Sequence, residues 1–171
     1  MKAEIVILGA GGHALSVLDA LSAWSETERY LLLDDNPNLR DLHGIQVVGP
    51  LSHSHLHLLV NQGVRYFLVC IGSNAERRVF FTEALQLGLQ PLRAVVHDTA
   101  YVSKKARVGL GTVVLAGAII GPDARIGDNV IINTGAVIEH NVTVGDHAHI
   151  APHATLLGGV TVGHSAMIGA G

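Results

Sequence analysis

Gly127-Asp128-Asn129-Val130-Ile131-Ile132-Asn133-Thr134-Gly135-Ala136-Val137-Ile138-Glu139-His140-Asn141-Val142-Thr143-Val144 repeats one pattern every six residues. A branched aliphatic falls at Ile132, Ile138 and Val144, and a small or β-branched residue stands two places before each: Val130, Ala136 and Val142. Followed in both directions, the aliphatic series runs Val102, Val108, Val114, Ile120, Ile126, then Ile150, Leu156, Val162, Ile168 without a break. Its companions run Ala100, Ala106, Thr112, Ala118, Ala124, then Ala148, Ala154, Val160, Ala166. Neither the 3.6-residue period of a helix nor the two-residue period of a flat strand produces this. A hexad predicts a parallel β-helix, in which short strands stack coil upon coil around an aliphatic core. At three hexads per coil the repeat fills about four coils, roughly 20 Å of stacked strands. It stops part-way through a hexad at Ile168-Gly169-Ala170-Gly171. An open β edge there implies either a longer natural chain or a neighbouring subunit over that end.

The same pattern explains a hydrophobic fraction of 49% and a mean hydropathy of +0.39. The most apolar run, Thr112 to Ile120, keeps the six-residue period and is too short to span a bilayer. A net charge of −3 without basic blocks argues against nucleic acid or an anionic membrane as partner. Met1-Lys2 leads into a strand without a signal-peptide pattern, so a cytoplasmic location is expected. The single cysteine, Cys70, sits in the apolar run Tyr66–Ile71 and reads as core.

The first 96 residues follow a different rule. Ile5–Leu8 reads as a buried strand, Gly9-Ala10-Gly11-Gly12-His13-Ala14 as a tight turn, and Leu15–Trp24 as a helix. Further strands are expected at Tyr30–Leu33 and Tyr66–Ile71, with a minor one at Val47-Val48. Helices are expected at Leu51–Asn61 and Arg77–Leu87, and Gln90–Asp98 reads as a link. Alternating strands and helices predict a small Rossmann-like α/β domain over 1–96, followed by the β-helix over 97–171.

A strand, Gly9-x-Gly11-x-x-Ala14 and a helix form the arrangement in which backbone N–H groups hold phosphates. Asp34 and Asp35 end the second strand, where a carboxylate meets a ribose or base edge. The domain is short for a dinucleotide; a sugar nucleotide and a purely structural turn stay open. Candidate contacts are Gly11, Gly12, His13, Asp34 and Asp35.

Eleven histidines exceed what composition leads one to expect. His53, His55 and His57 read as a solvated helix surface, and His43, His97, His153 and His164 have no partner the sequence reveals. His140 is different. Residues eighteen apart stack one coil apart, which puts Gly158 above His140 and Pro122 below it. The glycine leaves open space and a bare N–H beside an imidazole, a group whose ordinary pKa of about 6.5 suits a general base. Such an N–H suits the oxyanion of a tetrahedral intermediate. Glu139 is a candidate to orient or polarise His140, while His147 and His149 fall on the next face.

Over its whole length the chain resembles the sugar acetyltransferases of the sialic-acid O-acetyltransferase and bacillosamine-type N-acetyltransferase group. The matching motifs are Gly9–Ala14, Leu33-Asp34-Asp35, Ile71-Gly72-Ser73-Asn74-Ala75-Glu76-Arg77 and Ile131–His140. The resemblance implies a left-handed coil, acetyl-CoA as donor, no metal, a nucleotide-sugar acceptor and a homotrimer with active sites between adjacent prisms. It implies His140 as catalytic base, His149 near the acetyl group, Gly158 N–H facing the thioester carbonyl, and the Gly11–His13 turn with Asp34–Asp35 as the nucleotide-sugar site. Amino-sugar members can carry an acid directly after the catalytic histidine, where this chain has Asn141. The expected reaction is acetylation of the 4-amino group of a UDP-linked amino-deoxy sugar. The alternatives are O-acetylation of sialic acid, a zinc enzyme of the γ-carbonic-anhydrase type built on His140, His147, His149 and His164, and a non-catalytic nucleotide-sugar-binding scaffold.

Overall fold

The computed structural model describes residues 4–22 and 30–171. The chain forms two compact units, Met1–Leu92 and Arg93–Gly171. The expected helix through Trp24 and the lead-in from Met1-Lys2 fall partly or wholly outside the described residues.

The first unit carries β1 (Ile5–Leu8), α1 (Gly12–Ser22), β2 (Tyr30–Leu33), β3 (Asp41–Leu42), β4 (Ile45–Gly49), α2 (His53–Asn61), β5 (Tyr66–Val69), α3 (Asn74–Gln86) and β6 (Gln90–Pro91). They form a sheet of order β3-β4-β2-β1-β5-β6, parallel except for β3. The four residues of β1 are all buried, as a central strand covered on both faces requires. Val6, Leu8, Leu33, Leu56, Phe67 and Phe81 share one core, where the two phenyl rings meet edge to face at 5.2 Å.

Several elements differ from the sequence reading for local reasons. β3 forms a hairpin with β4 because His43 and Gly44, at φ 52° and 83°, make a two-residue turn whose twist matches the strands. Gln90–Pro91 is not a bare link but an edge strand beside Tyr66–Phe67, where proline's missing N–H is tolerated. Ser73 accepts from the Glu76 N–H and starts α3 at Asn74 rather than Arg77, and Ser52 caps α2 in the same way.

The second unit is a left-handed parallel β-helix. Thirteen two-residue strands, from Val95–Val96 (β7) to Met167–Ile168 (β19), stack into sheets of five, four and four strands. The register is eighteen residues throughout: Val114 pairs with Ile132 and Ile132 with Ile150, just as Ile120 pairs with Ile138 and Ile138 with Leu156. Val95–Val96 joins this stack beside Val113–Val114, so the prism begins before the hexads counted from Val102.

Its core is the aliphatic series with its small companions. Two companions depart from the pattern. Thr112 is fully buried yet polar; its hydroxyl donates to the Gly127 carbonyl at 2.7 Å and accepts from the Val130 N–H at 3.0 Å. Val160, in the last described coil, is 37% exposed. A second six-residue series runs through the corners. Gly111, Gly117, Asp123, Asn129, Gly135, Asn141, His147, His153, Gly159, Ser165 and Gly171 all have φ between 55° and 85°. These are residue types that tolerate the left-handed region.

Candidate functional site

In the first unit a cavity of about 640 Å³ opens at the C-terminal ends of β1 and β2, lined by Gly9, Gly11, Gly12, His13, Asp34, Asp35, Leu51, Cys70, Ile71, Gly72, Glu76 and Phe80. Its position follows the rule that open parallel sheets bind ligands beyond their carboxyl ends. Gly9, at φ 97°, turns the chain and donates to Leu33 O at 2.9 Å. A side chain at Gly11 or Gly12 would meet nothing within 4 Å, so both backbones face open space. His13, half-buried, stands in the first turn of α1 on the same wall.

Asp34 is engaged within the chain. One carboxylate oxygen accepts from the Ala10 N–H at 2.6 Å and the other from the Asn36 N–H at 2.9 Å. It therefore laces the glycine turn to the end of β2. Asp35 accepts from the Leu51 N–H at 2.9 Å, tying the β2 loop to the approach of α2. A second cavity of about 510 Å³ shares both aspartates and is walled by Asn36, Pro37, Arg40 and Pro50.

Sequence reasoning missed Arg77. Its guanidinium, 1% exposed, donates to the Ile71 and Gly72 carbonyls at 3.1 and 3.2 Å and to Asn74 Oδ1 at 2.7 Å. Burial lowers its pKa to about 10, which still leaves it charged at neutral pH. The charge is spent on shaping the 71–74 loop. Cys70, also on the cavity wall, is buried, and desolvation pushes its thiol well above the ordinary range. It is no nucleophile at neutral pH.

In the prism His140 lies at the corner after Val137–Ile138, exposed. A Cβ built on Gly158 would sit 2.6 Å from both Cε1 and Nε2 of the His140 ring. The eighteen-residue register thus brings His140 against Gly158 as the sequence indicates. Only a glycine leaves room there. The corner is tied by the Gly159 N–H donating to His140 O at 3.0 Å and the Asn141 N–H donating to Pro122 O at 3.1 Å. His140 Nδ1 lies 2.9 Å from Asn141 Oδ1, which can only accept. Nε2 is the ring nitrogen on the side of Gly158. Within the chain the partner of His140 is Asn141; the Glu139 side chain makes no hydrogen bond or ion pair among the described residues.

His149 is buried on a different face, in the five-stranded sheet, with Nε2 3.0 Å from Asn133 Nδ2. One chain does not bring it to His140. Several of the other histidines acquire partners. His147 Nδ1 meets Asn129 Nδ2 at 2.9 Å, His164 accepts from the Asp146 N–H at 3.1 Å, and His97 accepts from the Thr99 N–H at 3.1 Å. The His153 ring stacks on Gly135 one coil below. No group of three or more histidine, cysteine or acidic side chains converges on a metal position among the described residues. No helix among them is long and apolar enough to cross a membrane.

Comparison with known proteins follows this division. Residues 4–84 match the PglD N-terminal domain, and residues 123–158 match the bacterial transferase hexapeptide (six repeats). UDP-N-acetylbacillosamine N-acetyltransferase of Bacillus subtilis is 39% identical over 114 residues, which are 66% of this chain and 51% of that protein. The chain thus spans about half the length of that relative. Among solved structures, a histidine-to-asparagine mutant of perosamine N-acetyltransferase from Caulobacter crescentus, in complex with CoA and GDP-perosamine, is 37% identical. The match covers 96% of this chain and 76% of that one with a TM-score of 0.88. The acetyltransferase domain of PglB from Neisseria gonorrhoeae, in complex with acetyl coenzyme A, is 30% identical, covering 99% and 80% of the two chains with a TM-score of 0.87.

Proposed function

The chain belongs to the family of hexapeptide-repeat sugar N-acetyltransferases with a PglD-type N-terminal domain, and we propose that it transfers an acetyl group from acetyl-CoA to the 4-amino group of a UDP-linked amino-deoxy sugar. The observation that carries this reading is His140 against Gly158, a proton acceptor seated directly on an exposed glycine. A side chain at residue 158 would collide with the ring, so glycine there is what lets His140 take this position. His140 Nε2 takes the proton as the amine attacks the thioester carbonyl carbon. The Gly158 N–H stabilises the oxyanion, the C–S bond breaks, and the CoA sulfur leaves with the proton returned by His140.

The N-terminal unit holds the nucleotide, with the N–H groups of Gly11, Gly12 and His13 at the start of α1 meeting phosphate. Asp34 and Asp35 hold the turn and the neighbouring loop in shape, and Asp35 keeps one carboxylate oxygen for the ligand. The working enzyme is a cytoplasmic homotrimer with sites between adjacent prisms, where His149 of one subunit stands near the acetyl group bound beside His140 of the next. Glu139 borders the same site. No metal enters the mechanism.

The test is mass spectrometry of reactions with acetyl-CoA and a panel of UDP- and GDP-linked 4-amino sugars and free sialic acids. Addition of one acetyl group to a nucleotide amino sugar is expected, with His140→Ala slower by roughly 10²–10⁴-fold. An unchanged rate in that variant removes His140 as base. Acetylation of sialic acids alone would mean that the N-terminal cavity does not serve the acceptor.

A further inference from the structure

Asn141 follows His140 at the corner, and its side chain is neutral. Its backbone, at φ 60°, belongs to the left-handed corner series, and its side-chain oxygen lies 2.9 Å from His140 Nδ1. That oxygen has lone pairs and no hydrogen, so the contact exists only with the proton on Nδ1. The other ring nitrogen is the one beside Gly158. We propose that Asn141 is the positioning residue of the reaction: its side-chain carbonyl fixes His140 as the Nδ1–H tautomer and leaves a bare Nε2 beside Gly158. The proposal rests on the reading of His140 as the base.

A neutral partner has a consequence that a carboxylate would not. An acid at this place would favour the imidazolium, which cannot accept a proton, whereas an amide orients the ring without that bias. Among the described residues nothing else near the corner supplies a charge in its stead by hydrogen bond or ion pair. The coil above contributes Gly158 and Gly159; the coil below contributes Pro122 and Asp123; Glu139 precedes the histidine just after the strand ends at Ile138. Asp123 stacks one coil below Asn141 and, like Glu139, is exposed to water, which screens both.

The test uses Asn141→Gly and Asn141→Asp, both compatible with a positive φ, so that loss of the side chain is not confused with backbone strain. Long-range proton–nitrogen spectra of histidine-labelled protein, with His140 assigned by its absence in His140→Gln, read the tautomer directly. The parent should show Nδ1 protonated and Nε2 bare, and Asn141→Gly should shift toward the Nε2–H form. In kinetics, Asn141→Gly should lower kcat about tenfold with little change in KM. Asn141→Asp should keep turnover at high pH but move the acidic limb of the kcat/KM profile upward by about one pH unit. An Nε2–H tautomer in the parent overturns the proposal. So does Asn141→Gly with the parent's tautomer and kcat, or Asn141→Asp with the parent's pH profile. If His140→Ala retains full activity while the spectra show the Nδ1–H form, the base assignment fails and the hydrogen bond stands.

Discussion

Gly158→Ala adds one methyl group and tests the geometry of the base more sharply than removal of the histidine does. The new Cβ would lie 2.6 Å from Cε1 and Nε2 of His140 and 3.2 Å from Nδ1. Carbon contacts settle at about 3.5–4.0 Å, so the ring must retreat by roughly 1 Å. Displacement of a reacting group by about 1 Å costs on the order of 10²-fold in rate. Gly158 is exposed and its φ is not positive, so alanine brings neither strain nor a core defect, and stability should stay within about 0.5 kcal/mol. The assay is steady-state kinetics on whichever nucleotide amino sugar the protein accepts, with a thermal melt alongside. The expected result is a kcat lower by about 10²-fold at an unchanged Tm. Gly163→Ala is the control, because its Cβ would meet nothing within 4 Å and its φ is also ordinary. A Gly158→Ala enzyme as fast as the Gly163→Ala control would refute the claim that the chemistry depends on the close seating of His140 on residue 158.

Asp34→Ala removes the acceptor for the Ala10 and Asn36 N–H groups at 2.6 and 2.9 Å. A partly exposed charged latch of this kind should be worth about 2 kcal/mol, read as a lower urea midpoint, with KM for the nucleotide sugar raised at least about tenfold and kcat nearly kept. An unchanged KM would mean the glycine turn holds its shape without the latch. Thr112→Val keeps the shape of a fully buried side chain but orphans the Gly127 carbonyl and the Val130 N–H. It should destabilise by about 2–3 kcal/mol in urea unfolding. A more stable valine variant would mean that the aliphatic hexad outweighs the polar bridge.

The prism was legible because its repeat is long and strict, and because the register follows from the period alone. Once eighteen residues make a coil, stacking of Gly158 on His140 and of Ile132 on Ile150 needs no further information. Thr112 keeps the hexad's burial rule but not its apolar chemistry, since its hydroxyl has two backbone partners, while Val160 keeps the spelling yet remains exposed in the last described coil. In the first unit the four-residue strands of unbroken aliphatics were plain, while Asp41–Leu42 and Gln90–Pro91 were not. Two-residue edge strands carry no periodicity, and what forms them is a turn at His43-Gly44 or a free sheet edge.

The site divides along the same physical line. Contacts between coils could be read from sequence; contacts within a corner could not, because they depend on a backbone conformation that the aliphatic period does not report. The signal was present in a second series six residues apart, Gly111 through Gly171, made of glycine, asparagine, aspartate, histidine and serine. Read as positions of positive φ, it would have turned Asn141 from a missing acid into a side chain folded back beside its neighbour's imidazole. The same series places His147 and His153 at corners for a backbone reason, which weakens any inference from histidine number alone. Glu139 was the natural candidate from adjacency, yet the residue on the other side of His140 makes the bond. Adjacent residues in an extended strand point to opposite faces. A left-handed corner breaks that alternation, so residues i and i+1 can meet there, and in this chain His140 is placed at such a corner.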